Sequence, residues 1–96
     1  MWIDNLSAKD VQKKDYRKIM KRQLLTIYND MLTLALTPTR KTRIMYQSNQ
    51  NHTQFTRHLK TLLDCGLLET NSDTYQTAQK GIRFIRLMTE IEDLLK

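Results

Sequence analysis

The chain has 96 residues, enough for one domain around one small core. Forty per cent hydrophobic and 27% charged residues read as soluble and globular, and two glycines with one proline argue against a loop-rich or all-β fold. Sixteen Lys and Arg against ten Asp and Glu give +6, all of it in residues 1–48, where ten basic side chains meet four acidic ones, while residues 49–96 hold six of each.

The start, Met1-Trp2-Ile3-Asp4-Asn5, lacks the basic flank and apolar stretch of a signal peptide. No apolar run approaches the roughly 18 residues of a membrane span. Residues 1–8 show no apolar period and are expected to be a flexible or partner-dependent arm. Helical periodicity runs from about Lys9 to Leu36. Tyr16, Met20, Leu24, Ile27, Met31 and Leu34 recur at steps of four, four, three, four and three. Cations crowd Lys13 to Arg22, and three readings stand: contact with a DNA backbone, an arm reaching from a dimer, or a solvated face. Pro38 ends this long helix, or equally opens the next one at its first turn.

A short helix fits Arg40 to about Ser48, with Ile44 and Met45 inward. Asn49-Gln50-Asn51 is a polar turn, and Asn51 followed by Gln54 is a capping-box arrangement. A third helix runs from His52 to about Cys65, with Phe55, Leu59, Leu62 and Leu63 on one face, and Gly66 ends it. Residues 67–70 and 74–77 read as a hairpin around Asn71-Ser72-Asp73. Thr77 is expected to cap a fourth helix from Ala78 onward, in which Phe84, Leu87, Ile91 and Leu94 make a short coiled-coil seam.

Two helices joined by a short polar turn and followed by a hairpin make a winged helix-turn-helix. The expected fold is therefore mainly α with a small β-hairpin. A long N-terminal helix precedes it, the domain spans 9–96, and a dimerisation helix occupies about 78–96. The third helix of such a unit enters the major groove. His52, Thr53, Gln54, Thr56, Arg57 and Lys60 face outward and suit base edges and phosphates. Arg40, Lys41, Thr42 and Arg43 stand where a helix start favours phosphate, or merely solvate that start. The wing carries Glu69 and Asp73 and no cation, so weak or no DNA contact is expected from it.

Three passages resemble small archaeal winged helix-turn-helix proteins over about residues 17–95. Lys41-Thr42-Arg43-Ile44-Met45-Tyr46 is similar to their second helix. Leu62-Leu63-Asp64-Cys65-Gly66-Leu67-Leu68 is similar to their passage into the wing. Tyr75-Gln76-Thr77-Ala78-Gln79-Lys80-Gly81 is similar, with a one-residue difference, to their entry into the last helix. That family holds predicted transcriptional regulators and coiled-coil chromatin proteins, many dimeric through a terminal helix. Gln50 and Asn51 depart from its usual leucine and serine.

Double-stranded DNA binding by a dimeric cytoplasmic regulator is the expected function. An architectural DNA-coating protein and a protein-interaction winged helix without DNA binding are the alternatives. Phe84, Leu87, Met88, Ile91, Leu94 and Leu95 are the expected dimer contacts. No catalytic residue, metal or cofactor is expected. His52 and His58 lie six apart, and Cys65 has no cysteine partner, so neither spacing makes a zinc site. His58 is expected to pack half-buried, and Cys65 to be a small packing residue.

Overall fold

The computed structural model describes residues 23–96. The arm at 1–8, the start of the long helix and the basic stretch Lys13 to Arg22 lie outside the described residues. Helix α1 covers residues 23–34, and β1 is Thr39–Arg40. Helix α2 is Lys41–Gln47, and α3 is His52–Asp64. Strands β2 and β3 are Leu68–Asn71 and Thr74–Thr77, and α4 is Gln79–Leu94.

The three described strands form one antiparallel sheet in the order β1-β3-β2. The hairpin was expected, but β1 was not. Thr39 and Arg40 pair with Tyr75 and Thr74, so the segment after Pro38 joins the sheet rather than simply ending a helix. The hairpin turn is also tighter than its composition suggested. Asn71 pairs with Thr74, leaving only Ser72 and Asp73 between the strands, with Ser72 at φ 58.

Met31, Leu32, Ala35, Ile44, Phe55, Leu59, Leu62 and Leu68 make the core. Helix α2 supplies Ile44 alone, whereas α3 supplies a stripe at helical spacing, Phe55, Leu59 and Leu62, as its apolar period requires. Leu68 is the one buried residue of β2, so the rest of that strand projects into solvent as the wing.

Two local devices set the ends of the helix-turn-helix. Asn51 Oδ1 accepts from the Gln54 amide at 2.8 Å and caps α3, although the Gln54 side chain returns no bond. Gly66, at φ +76, closes α3. Its amide donates to Leu63 and that of Leu67 to Leu62, the paired bonds of a Schellman end. Asn49, at φ 56, closes α2 in the same way, with Asn49 donating to Tyr46 and Gln50 to Met45. Gln50 is half-buried and donates from Nε2 to Ser48 Oγ at 2.8 Å.

Two expectations are corrected. Thr77 does not cap α4. It is the last residue of β3, its hydroxyl donates to the Leu32 carbonyl, and its amide donates to Ala35 O at 2.8 Å. The residue before α4 is Ala78, which offers no side-chain cap. Tertiary pairing with α1 outcompetes the local cap. Cys65 is exposed rather than packed. The left-handed turn at Gly66 directs the chain inward only from Leu67, and the Cys65 carbonyl accepts from Lys80 Nζ at 2.7 Å.

Gly81 is buried where α4 meets the strands. A Cβ there would overlap the Leu67 carbonyl oxygen and Thr77 Cγ2, with Leu32 Cδ2 at 3.3 Å. Gly66 has open space around it and is constrained only by its φ. Gly81→Ala is therefore predicted to destabilise by about 1–3 kcal/mol through overpacking against backbone. Gly66→Ala is predicted to cost about 1 kcal/mol through conformation alone. Urea denaturation of both variants checks this, and a Gly81→Ala midpoint equal to wild type would contradict it.

Candidate nucleic-acid interface

The geometry of α3 follows from its buried stripe. At 3.6 residues per turn, the middle of the face opposite Phe55, Leu59 and Leu62 is occupied by Thr53, Arg57 and Lys60. Gln54 and Thr56 flank that line on either side. His52 falls at its border, where it lines a small cleft of about 340 Å³ at the turn with Tyr46, Asn49 and Asn51. All six are exposed.

Their hydrogen-bonding capacity differs. The Thr56 hydroxyl donates to the His52 carbonyl at 2.8 Å, so its methyl and its acceptor lone pairs are what remain for other contacts. Among the described residues, the side chains of Thr53, Gln54, Arg57 and Lys60 have no hydrogen-bond or ion-pair partner. One ion pair joins described residues, Lys96 to Asp93 at 3.7 Å near the chain end. The cations of α2 and α3 are thus not neutralised by any described carboxylate.

The α2 group divides in two. Arg40, Thr42 and Arg43 line one cleft with the end of α1 and Thr74, whereas Lys41 is exposed outside that lining. Arg40 stands opposite Thr74, the residue that follows the wing turn. The wing's own Glu69 and Asp73 are acidic and exposed, but β1 sets a guanidinium-bearing residue in register beside it. Sequence reasoning missed this because the strand is two residues long and follows a proline. Tyr46 is a further candidate that the sequence pattern does not single out, 83% exposed beside the start of α3. Its place as the last residue of the Lys41–Tyr46 passage was the available signal.

His58 meets Tyr28 of α1 edge to face, with ring centroids 5.3 Å apart at 81°. It is half-buried, as expected. Burial, and then the neighbouring Arg57 charge, hold its pKa below the usual imidazole value. It is a packing contact between α1 and α3. No group of three or more His, Cys, Asp or Glu is placed to hold a metal ion among the described residues. No described helix is long and apolar enough to cross a membrane.

On α4, the expected dimer residues separate by burial. Met88 is 5% exposed, and Phe84 is half-buried against the core. Leu87, Ile91, Leu94 and Leu95 are exposed, Leu94 to 83%. They form a stripe beside the buried face of the helix rather than on it.

Residues 21–96 match the winged helix-turn-helix family. No curated protein matches the chain.

The His58 environment has a pH consequence. Unfolded His58 takes its proton near the ordinary value of 6.5, and folded His58 only at lower pH. Its contribution is therefore complete above about pH 6.5 and is lost as pH falls towards the lowered folded value. Urea midpoints at pH 7.5 and 5.5 are predicted to fall further for wild type than for His58→Phe. Equal falls would contradict this.

Proposed function

The chain belongs to the winged helix-turn-helix family, a family of DNA-binding domains, and we propose that it binds double-stranded DNA as a homodimeric transcriptional regulator. The observation that carries this reading is the outer face of α3. Phe55, Leu59 and Leu62 anchor one side of the helix, Arg57 and Lys60 stand opposite with Gln54 flanking them, and none of the three side chains has a partner among the described residues. An anchored helix with uncommitted polar groups suits a major groove about 12 Å wide. Gln54 and Arg57, three residues apart, are neighbours on that face. In this proposal Gln54 addresses adenine and Arg57 addresses guanine, each in a bidentate pair. Thr53 and the Thr56 methyl meet neighbouring edges, His52 borders the groove, and Lys60 meets phosphate.

Arg40, Lys41 and Arg43 supply phosphate contacts through charge, with the Thr42 hydroxyl beside them. Glu69 and Asp73 keep the wing turn from doing so. The exposed stripe Leu87, Ile91, Leu94 and Leu95 supports pairing with a second copy, because exposed contiguous apolar surface on a small soluble domain favours association. Phe84 borders that stripe. Met88 contributes from beneath by fixing the helix. Two copies of the domain would place two recognition helices on one duplex.

Gln54→Ala and Arg57→Ala are each predicted to cost about 1–3 kcal/mol on a preferred duplex, the range of one bidentate base pair contact. They should cost less on random duplex at the same salt. Arg43→Ala should weaken both duplexes almost equally, as a phosphate contact does. Fluorescence anisotropy on both duplexes checks this. Equal losses on both for Gln54→Ala and Arg57→Ala would transfer the proposal to an architectural protein. For assembly, light scattering of wild type is predicted to return a dimer, and of Ile91→Lys a monomer with helix content retained. A monomeric wild type at micromolar concentration would remove the dimer.

A further inference from the structure

An open cleft of about 600 Å³ lies between the end of α1, β1 and α2, and no α3 residue lines it. That volume falls within the roughly 300–1,000 Å³ of small-ligand sites. Its walls carry Arg40 and Arg43 and no carboxylate. Among the described residues, neither guanidinium has an ion-pair or hydrogen-bond partner. Three wall hydroxyls are already committed. Thr33 donates to the Asn29 carbonyl at 2.7 Å, Thr39 to that of Leu34 at 3.0 Å, and Thr74 to that of Asn71 at 3.1 Å. Thr37, Thr42 and Gln47 have no such partner among the described residues and leave their side-chain donors for something else. Half-buried Leu34 adds apolar surface to the same recess.

Two unneutralised guanidiniums, two hydroxyls and an amide in one concave space match a group with several acceptor oxygens. The planar fork of arginine fits phosphate bidentately. A single carboxylate would leave most of these donors unused. The apolar surface suits the body of a small molecule rather than the convex backbone of a duplex. We propose that this cleft is a binding site for a phosphate-bearing small molecule, separate from the base-reading face of α3. The inference stands on the cleft alone and does not require the chain to bind DNA.

Inorganic pyrophosphate, titrated into the full chain at constant ionic strength, is the probe, read by amide chemical shifts. Saturable shifts confined to residues of the cleft, centred on Arg40, Thr42 and Arg43, are expected. Arg43→Gln should weaken binding at least tenfold, and Thr42→Val several-fold, with the rest of each spectrum unchanged to show that the variant is folded. Shifts that do not saturate, or that spread equally to Arg57, Lys60, Arg83 and Arg86, would overturn the site. A duplex arm tests the shared side chains, because Arg40, Thr42 and Arg43 are also the proposed backbone contacts. A duplex that competes with pyrophosphate for the cleft is expected. Pyrophosphate that binds no more tightly than inorganic sulfate would reduce the cleft to general anion contact and overturn the site. A duplex that does not bind at all contradicts only the DNA-binding proposal.

Discussion

Thr77 binds the end of α1 twice, through its amide to the Ala35 carbonyl at 2.8 Å and through its hydroxyl to the carbonyl of Leu32. One residue later, the Ala78 amide donates to the Leu67 carbonyl at 3.0 Å, and Gly81 lies against that same oxygen with no room for a Cβ. The end of α1, the start of the wing and the first turn of α4 therefore meet at backbone distance. A buried backbone carbonyl needs a partner, and the last carbonyls of a helix have none within it. Here β3 supplies the donors. Because this junction ties the wing strands to α1, it also fixes the floor on which α3 packs.

From that junction the path to the α3 face is short. Leu32 and Leu68 belong to the core that receives Phe55, Leu59 and Leu62. Burying each such large apolar side chain stabilises by about 1.5–3 kcal/mol. This fixes the rotation of α3 about its axis, so that Arg57 and its neighbours have one orientation. Asn49 and Gly66 fix the entry and exit of the two helices through the same left-handed geometry, one with a polar residue and one with glycine. The Tyr28–His58 contact adds a further tie between α1 and α3. Rigidity of the scaffold and freedom of the outward side chains are the two properties that recognition of a duplex asks of such a helix.

Features governed by local rules were readable in the sequence. Asn51 caps α3, Gly66 ends it, and the steps between Phe55, Leu59 and Leu62 define its buried side. The features that misled depend on distant chain. Thr77 has the composition of a cap, but its hydroxyl finds a carbonyl of α1, forty-five residues away. Thr39 and Arg40 have no strand signal of their own and become β1 only because β3 offers an edge. Cys65 sits on a largely apolar passage, yet the turn at Gly66 leaves it outside. In the candidate interface, the outward set on α3 was legible because it is the complement of an apolar period. The proximity of Arg40 to the wing was not, because it is a product of strand pairing.

Sequence reading by the outer face of α3 is the property on which the proposed function turns. Selection from a pool of random duplexes, carried through several rounds with the full chain at physiological salt, tests it most directly. An enriched short motif, recovered in independent pools, is expected. Retention of duplex with no enrichment would contradict sequence reading, and failure to retain any duplex would contradict DNA binding itself.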